Sequence, residues 1–491
     1  MQIPAPEIFK AYDIRGIVRT TLTANTVHKI GLALGSEAVV RGVKAIVIGR
    51  DGRLSGPELS AALACGITQT GIDVIDIGRV PTPMTYFAAH ELGTDSCVSI
   101  TGSHNPPEYN GLKMVLAGQT LYGEMIQDLR RRIENDATSD VPPGDAGPRS
   151  GFPGMQGTAS HTSHTSHNDC EGRGFVRHAN VRQAYLDRIV GDVRLSRPMK
   201  IVIDCGNGVA GSVAPDLFRR MGCTVTELYC EVDGNFPNHH PDPSKPENLV
   251  DLQRALRETD AELGLAFDGD GDRLGVVTRD GEIIFPDRQL MLFAADVLTR
   301  NPGAQIIYDV KCSRWVAESI RHQGGRPLMW NTGHALIKTK LKETGAPLAG
   351  EMSGHMFFRE RWFGFDDALY TGARLLEIVS RWADSNWPLK HLPNAISTPE
   401  LNIRMNEGEP HAMVAKLRAG GKQLLPGARE LITIDGVRAE YADGFGLARA
   451  SNTTPVVVLR FEADTQAALL RIQNEFRAAL SAVWPGISTD F

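Results

Sequence analysis

Three acidic residues alternate with glycine in Asp268-Gly269-Asp270-Gly271-Asp272-Arg273, directly after the apolar run 263–267. The glycines let the backbone coil tightly, so the three carboxylates can converge on one point. Converging carboxylates repel unless a cation neutralises them, and hard oxygen ligands suit Mg²⁺. A calcium EF-hand loop is excluded, because its glycine and glutamate positions are held by Arg273 and Arg279. A merely solvated acidic turn would not sit at the end of a buried strand. The second reactive stretch is Thr101-Gly102-Ser103-His104-Asn105-Pro106, which follows the apolar run 97–100. Pro106 and Pro107 stop regular structure there. Ser103 is thus presented on a stiff loop at a strand end, where α/β proteins place their chemistry. Beside His104 it reads as a nucleophile.

Two further groups carry polar chemistry. Glu351, Ser353 and His355 alternate within Gly350-Glu351-Met352-Ser353-Gly354-His355. In an extended loop they share one face, which suits adjacent sugar hydroxyls. The stretch Arg449-Ala450-Ser451-Asn452-Thr453-Thr454 sets a guanidinium beside hydroxyls, an amide and backbone N–H groups, which suits a phosphate. Gly206-Asn207-Gly208-Val209-Ala210-Gly211 fits the dinucleotide fingerprint and by itself suggests a dinucleotide-dependent oxidoreductase. The serine loop and the acidic triplet have no role in hydride transfer, so it reads as close packing at a strand–turn–helix junction. Tyr12 and Arg15, taken alone, read as an N-terminal turn with a salt bridge.

The elements that must position these groups alternate regularly. A helix over 26–40 shows Val27, Ile30, Leu34 and Ala38 on one face. The strand 45–48 follows, then Ser55-Gly56-Pro57-Glu58, which predicts a capping box opening a helix. Next come a strand over 74–77, a helix over 85–92 and the strand before the serine loop. This alternation is that of a parallel sheet. A second unit of the same order starts at Met199 and a third at Asp287, so the architecture repeats without residue identity. The last part of the chain reads as short alternating strands around 401–405, 431–434, 446–449 and 456–461 with two helices, a smaller α+β domain. Between the first two units, 139–174 is rich in Pro, Gly, Ser, Thr and His and reads as an exposed loop or linker.

At 491 residues the chain exceeds one ordinary core and suggests three or four domains. A net charge of -6 argues against a nucleic-acid or membrane-surface binder while leaving room for a basic pocket. The seven cysteines form no C-x-x-C pair and read as reduced thiols. No secretory signal and no membrane-length apolar run is seen, so a cytoplasmic location is expected.

A reactive serine, an acidic triplet, a sugar-type loop and a phosphate-type loop in that order closely resemble the α-D-phosphohexomutase family, over almost the whole chain except 139–174. The resemblance implies three similar α/β domains with mixed sheets plus a C-terminal α+β (helix-on-sheet) domain around a central cleft. The borders expected are 1–177, 178–282, 283–394 and 395–491. It further implies reversible phosphoryl transfer between O1 and O6 of mannose and glucose phosphates through a hexose 1,6-bisphosphate. Ser103 would be the phosphoserine and would hold Mg²⁺ together with Asp268, Asp270 and Asp272. Glu351, Ser353 and His355 would contact the sugar, and Arg449, Ser451, Asn452 and Thr453 the non-reacting phosphate. Tyr12, Arg15, Lys113, Arg273, Arg288, Lys311 and His334 match other cleft positions, which reverses the isolated reading of Tyr12 and Arg15. Lys113 or His334 would move the proton, and His104 would orient the loop or touch phosphate. Met352 favours the mannose/glucose type over a phosphoglucosamine mutase, where glutamine is usual. The partners expected are small hexose phosphates, with no nucleic acid, no membrane, and a monomer or weak oligomer.

Overall fold

The computed structural model describes residues 3–135, 174–452 and 454–491. Thr453 and all but the last residue of the 139–174 segment lie outside them. The chain divides into two compact units, Met1–Ile283 with Phe365–Ala383, and Ile284–Gly364 with Asp384–Phe491.

In the first unit, strands Ala45–Arg50, Asp73–Arg79 and Cys97–Ile100 run parallel, as the strand–helix alternation requires. Two strands that the sequence reading left out complete a mixed sheet. Tyr109–Leu116 lies antiparallel to Cys97–Ile100, and Ile14–Ile17 lies antiparallel to Tyr109–Leu116. The prolines after the serine loop end one element without preventing the next. Leu112, Met114 and Leu116 then alternate into the core formed with Ile46, Ile48 and Val98, and Lys113 takes the opposite face. The helix Ala24–Val40 is capped by Thr23, whose Oγ1 accepts from Thr26 N–H at 3.1 Å. The helix Gly56–Gln69 forms with proline in its first turn, but the expected capping box does not. Ser55 has φ −78°, ψ −13°, a helical rather than an extended cap geometry, and its Oγ instead accepts from Asn110 Nδ2 at 2.9 Å.

A second sheet in this unit sets Lys200–Asp204 between parallel Thr224–Leu228 and Leu263–Phe267, with Leu274–Thr278 antiparallel beyond. Every residue of Leu263–Phe267 is buried, so the chain leaves this strand into the acidic triplet from the middle of the core.

In the second unit, Gln305–Asp309 is flanked by parallel Arg326–Trp330 and Leu348–Gly350, and Met356–Phe358 closes the edge antiparallel. The C-terminal sheet is antiparallel throughout. Val456–Ala463 pairs with Gly444–Ala450 and Leu401–Arg404, and Val437–Glu440 and Glu430–Ile432 extend it. Helices Glu409–Leu424 and Gln466–Val483 bury Leu417, Ile472 and Phe476 against Leu459 and Phe461. Fully buried Arg438 ties the two sheets, donating from Nη1 to the carbonyls of Val310 and Cys312 at 2.6 Å each. Cys97, Cys205, Cys223, Cys230 and Cys312 are free thiols as expected. Among the described residues no helix is long and apolar enough to cross a membrane.

Candidate functional site

The first unit gathers Ser103, His104, Lys113, Arg15, Arg273 and the acidic triplet. Ser103 is 1 % exposed and sits in the left-handed region, φ +48°, a conformation that costs a non-glycine residue about 1 kcal/mol and persists only where surroundings impose it. Those surroundings are Asp51 and Arg53, which the sequence reading did not select. Asp51 Oδ2 accepts from Thr101 Oγ1 at 2.8 Å and from Gly102 N–H at 3.1 Å. The Arg53 guanidinium, ion-paired to Asp51, donates to the carbonyls of Ser103 (2.8 Å), Asn105 (2.5 Å), Pro106 (2.6 Å) and Tyr109 (2.9 Å). A side chain at Gly102 would collide with that guanidinium at 2.4 Å. Burial pushes the Asp51 carboxyl up and the Arg53 guanidinium down, and each partner's charge opposes the other's shift. A partial signal was legible: Asp51 and Arg53 lie just past the apolar run 45–48, a weaker form of the context that singles out Asp268.

The Ser103 hydroxyl donates to Asp268 Oδ2 at 2.9 Å and lies 3.2 Å from His104 Nδ1. Burial lowers the His104 imidazole far below its usual range, and Arg273, Arg15 and Lys113 add to it. His104 is therefore neutral at pH 7 and a poor base. Asp268 Oδ1 accepts from the N–H groups of Gly271, Asp272 and Arg273 at 3.0, 3.0 and 3.2 Å, which coils the loop. A side chain at Gly269 would meet the Ser103 carbonyl at 2.3 Å, so the serine and acidic loops can approach only over a glycine. The segment His240-Pro241 straps the two loops together. His240 Nε2 donates to the His104 carbonyl, and the Pro241 carbonyl accepts from Gly269 N–H at 3.1 Å.

The three carboxylates fit a divalent cation. One oxygen from each of Asp268, Asp270 and Asp272 lies within 4.8 Å of the others, and all three residues are buried. Asp270 Oδ2 accepts from Lys113 Nζ at 2.8 Å and Thr82 Oγ1 at 2.6 Å, whereas its Oδ1 is buried with no hydrogen-bond partner. Burial alone would lower the Lys113 ammonium, but Asp270, Asp272, Asp366 and Asp268 outweigh it and hold it charged. Burial, then Asp272 and Asp270, raise the Asp268 carboxyl well above its usual range against the opposing charges of Arg273 and Lys113, the expected cost of crowding buried carboxylates. Arg15 pairs with Asp13 and with the Asn105 side chain, which fixes it beside the serine loop; Tyr12 lies in the bend just before its strand.

The second unit holds the other predicted residues. Glu351, Ser353 and His355 do come together, but through a tight turn closed by Glu351 N–H to the His355 carbonyl at 2.9 Å, not an extended loop. His355 Nδ1 lies 3.0 Å from Glu351 Oε2 and 3.1 Å from Ser353 Oγ. Glu351 Oε1 accepts from Gly333 N–H at 2.6 Å. Burial raises Glu351, but its hydrogen bond and charge interaction with His355, Gly333 N–H and Lys311 prevail and hold it below its usual range. His334 opens the helix His334–Thr344, its ring 5.8 Å from that of His355. Asp309 and Asp435, absent from the sequence reading, organise this group. Asp309 accepts from Met352 N–H at 3.1 Å and Thr332 Oγ1 at 2.9 Å. Asp435 Oδ2 accepts from both Arg449 Nε and Thr332 N–H at 3.0 Å, linking the phosphate-type loop to the segment that leads into His334. Ser451 Oγ bonds Thr454 Oγ1 at 3.0 Å, and Asn452 follows it in the same loop. Lys311 pairs with Glu400 at 2.9 Å. Arg288 donates to the carbonyls of Leu389 (3.1 Å) and Leu392 (3.5 Å), at the end of the short helix Trp387–Lys390.

Four family models cover this chain in sequence. They are phosphoglucomutase/phosphomannomutase alpha/beta/alpha domain I over residues 6–140, domain II over 183–281, domain III over 285–395 and the C-terminal domain over 400–479. The chain is 53% identical over 491 residues to a phosphomannomutase/phosphoglucomutase of Pseudomonas aeruginosa, covering 100% of this chain and 98% of that one. It is 55% identical over 484 residues to a phosphoglucomutase of Neisseria gonorrhoeae, covering 98% of each. A crystal structure of a phosphoglucomutase/phosphomannomutase family protein from Burkholderia thailandensis superposes with a TM-score of 0.88 at 56% identity, covering 99% of each chain. With the four models in order and relatives matching end to end, the chain belongs to the phosphoglucomutase/phosphomannomutase family.

Proposed function

We propose that this protein interconverts the 1- and 6-phosphates of glucose and mannose, with Ser103 carrying the phosphoryl group between the two oxygens. The observation that carries the reading is the Ser103 hydroxyl, 2.9 Å from Asp268 in a buried cluster of three carboxylates with Lys113 against it. A hydroxyl is a weak nucleophile and a poor leaving group, and phosphoryl transfer rests on positioning and on neutralising charge at the equatorial oxygens. Lys113 and Arg273 supply fixed positive charge for those oxygens. Mg²⁺ is the ion that suits these hard ligands; held by Asp268, Asp270, Asp272 and the serine oxygen, it supplies further neutralisation.

The phosphoserine gives its phosphoryl group to the free hydroxyl of a hexose monophosphate. The resulting hexose 1,6-bisphosphate turns over and returns its other phosphate to the serine. Lys113 or His334 is the candidate for moving the proton between the serine oxygen and the sugar hydroxyl. Glu351, Ser353 and His355 hold the sugar hydroxyls. Arg449, Ser451, Asn452 and Thr453 hold the phosphate that does not react, with Tyr12, Arg15, His104, Arg288 and Lys311 as further substrate contacts. Both glucose and mannose are assigned because the full-length relatives are named for one or both sugars, and Met352 disfavours an aminosugar.

The test is a coupled assay with Mg²⁺ and a trace of glucose 1,6-bisphosphate on glucose, mannose and N-acetylglucosamine 1-phosphates, read beside intact mass. Isomerisation of the first two is expected, with a gain of about 80 Da that maps to Ser103. Turnover of neither sugar, or phosphate on another residue, overturns the reading.

The clamp on the serine loop makes a further prediction. Arg53→Lys keeps the charge, but a point ammonium cannot serve four carbonyls from one planar fork. A shift of the serine by about 1 Å is enough to lower kcat about a hundredfold. Steady-state kinetics should show that fall with KM nearly unchanged; an unaltered kcat would remove Arg53 from this role.

A further inference from the structure

Cys205 and Cys230 take no part in the site described above. Cys205 follows directly on strand Lys200–Asp204, and Cys230 lies two residues past Thr224–Leu228. The strands are parallel neighbours with Asp204 opposite Leu228, so both exits reach the same end of the sheet. Each exit then turns sharply through left-handed residues, Gly206 (φ +48°), Asn207 (φ +62°) and Tyr229 (φ +51°). Hydrogen bonds lock the two turns together, Cys205 N–H to the Leu228 carbonyl at 3.1 Å and Asn207 N–H to the Tyr229 carbonyl at 2.8 Å. The outcome is a pair of free thiols with their sulfurs 3.6 Å apart. Cys205 is buried and Cys230 half-buried, so Cys230 is the more accessible of the pair and is the attacking sulfur. Contact with Cys230, and then burial, hold the Cys205 thiol well above the usual range.

The pair sits against the loop that supports the acidic triplet. Val209 N–H donates to the Gly269 carbonyl at 3.1 Å. A side chain at Gly211 would meet the Cys230 carbonyl at 2.1 Å. The fingerprint-like glycines therefore serve close packing between the cysteine turns and the loop carrying Asp268 and Asp270. A disulfide has its sulfurs at about 2.05 Å, so closure draws them together by about 1.5 Å.

We infer that Cys205 and Cys230 form a reversible redox site, closed by a small-molecule disulfide, whose closure displaces the acidic loop and lowers turnover. The Cys230 thiolate attacks one sulfur of the small disulfide and expels the other half as a thiolate, which takes up the proton Cys230 lost. The Cys205 sulfur, giving up its proton, then attacks the Cys230 sulfur of the mixed disulfide and expels the second half as a thiol. Two protein thiols are oxidised to one disulfide, and one small disulfide is reduced to two thiols. Intracellular disulfides of this kind are typically transient and regulatory.

The experiment treats the full-length protein, and its Cys230→Ser variant, with glutathione disulfide. Three things are then read: peptide mass, the thermal shift produced by Mg²⁺, and mutase turnover. In the wild type a Cys205–Cys230 crosslink is expected, with a loss of about 2 Da for the two thiol hydrogens. With it come a weakened Mg²⁺ shift and a fall in turnover of at least about tenfold, all reversed by dithiothreitol. Cys230→Ser should start near wild-type turnover and resist the treatment. A mixed disulfide that stays on Cys230, a crosslink that leaves turnover and the Mg²⁺ shift unchanged, or equal inactivation of Cys230→Ser would each overturn the inference. Mass and thermal shift are read without turnover. A reduced protein that isomerises neither sugar would count against the proposed reaction and not against the thiol pair.

Discussion

Ser103→Ala is expected to lower mutase turnover by at least about ten-thousandfold, because it removes the atom that would carry the phosphoryl group. The fold should survive. The side chain loses hydrogen-bonding partners only at Asp268 and His104, and the loop is held by its backbone through Arg53, Asp51 and His240. Alanine also tolerates φ +48° no worse than serine does, since the penalty comes from the Cβ that both share. This gives a companion variant. Ser103→Gly should be equally inactive yet at least as stable as Ser103→Ala, because glycine adopts this conformation without the penalty. The pair separates chemistry from folding. Turnover comes from the coupled assay, phosphorylation from intact mass and stability from thermal melts. Residual turnover near wild type in either variant would end the role of Ser103, and a glycine variant clearly less stable than the alanine one would show that the loop stores no strain.

How this site could be seen in the sequence, and where it could not, follows from which interactions are local. Asp268 to Asp272 were legible because the motif is self-contained: its own backbone N–H groups coil it around Asp268, and its glycines mark close approach. Ser103 was legible from an apolar strand ending in a glycine-bounded loop. The clamp that Arg53 makes was not, although its place after an apolar run was visible, because it reaches four carbonyls fifty to fifty-six positions away, and spacing along the chain carries no trace of them. Asp309 and Asp435 were invisible for the same reason. The strand Tyr109–Leu116 was missed because two prolines before it looked like the end of order, although its alternation of Leu112, Met114 and Leu116 was available. The sugar-type triad shows a different limit. Its residues were chosen correctly as a group, but the geometry that unites them is a turn, and only the Glu351–His355 backbone hydrogen bond reveals that. Thr82 illustrates the remainder: it anchors Asp270 through both its hydroxyl and its backbone N–H, yet nothing about a threonine after a proline announces it.

Asp270→Asn is expected to lower Mg²⁺-supported turnover by at least about a thousandfold, through loss of the cation and not of the fold. Asparagine is nearly isosteric, and its one carbonyl oxygen will face Lys113 and Thr82, which are both donors to Asp270 Oδ2. The amide NH₂ is then left where Asp270 Oδ1 now lies buried without a hydrogen-bond partner, and a donor cannot ligate a cation. The consequence can be read without any substrate. Binding to the native state alone stabilises it by about 2.7 kcal/mol at a hundredfold excess over Kd, so Mg²⁺ should raise the melting temperature of the wild type over its EDTA-treated form. The rise should also depend on pH. Asp268 is held above its usual range by burial and by Asp272 and Asp270, so without metal the native state retains a proton that the unfolded chain has lost. That contribution makes the metal-free protein less stable as pH climbs from the usual carboxylate range through the raised value. The cation binds the ionised cluster, so the Mg²⁺-induced rise should be larger at about pH 8 than at about pH 5. Asp270→Asn should show little rise at either pH. A variant that keeps the full Mg²⁺ shift, or a wild type whose shift is the same at both pH values, would place the cation elsewhere than on these three carboxylates.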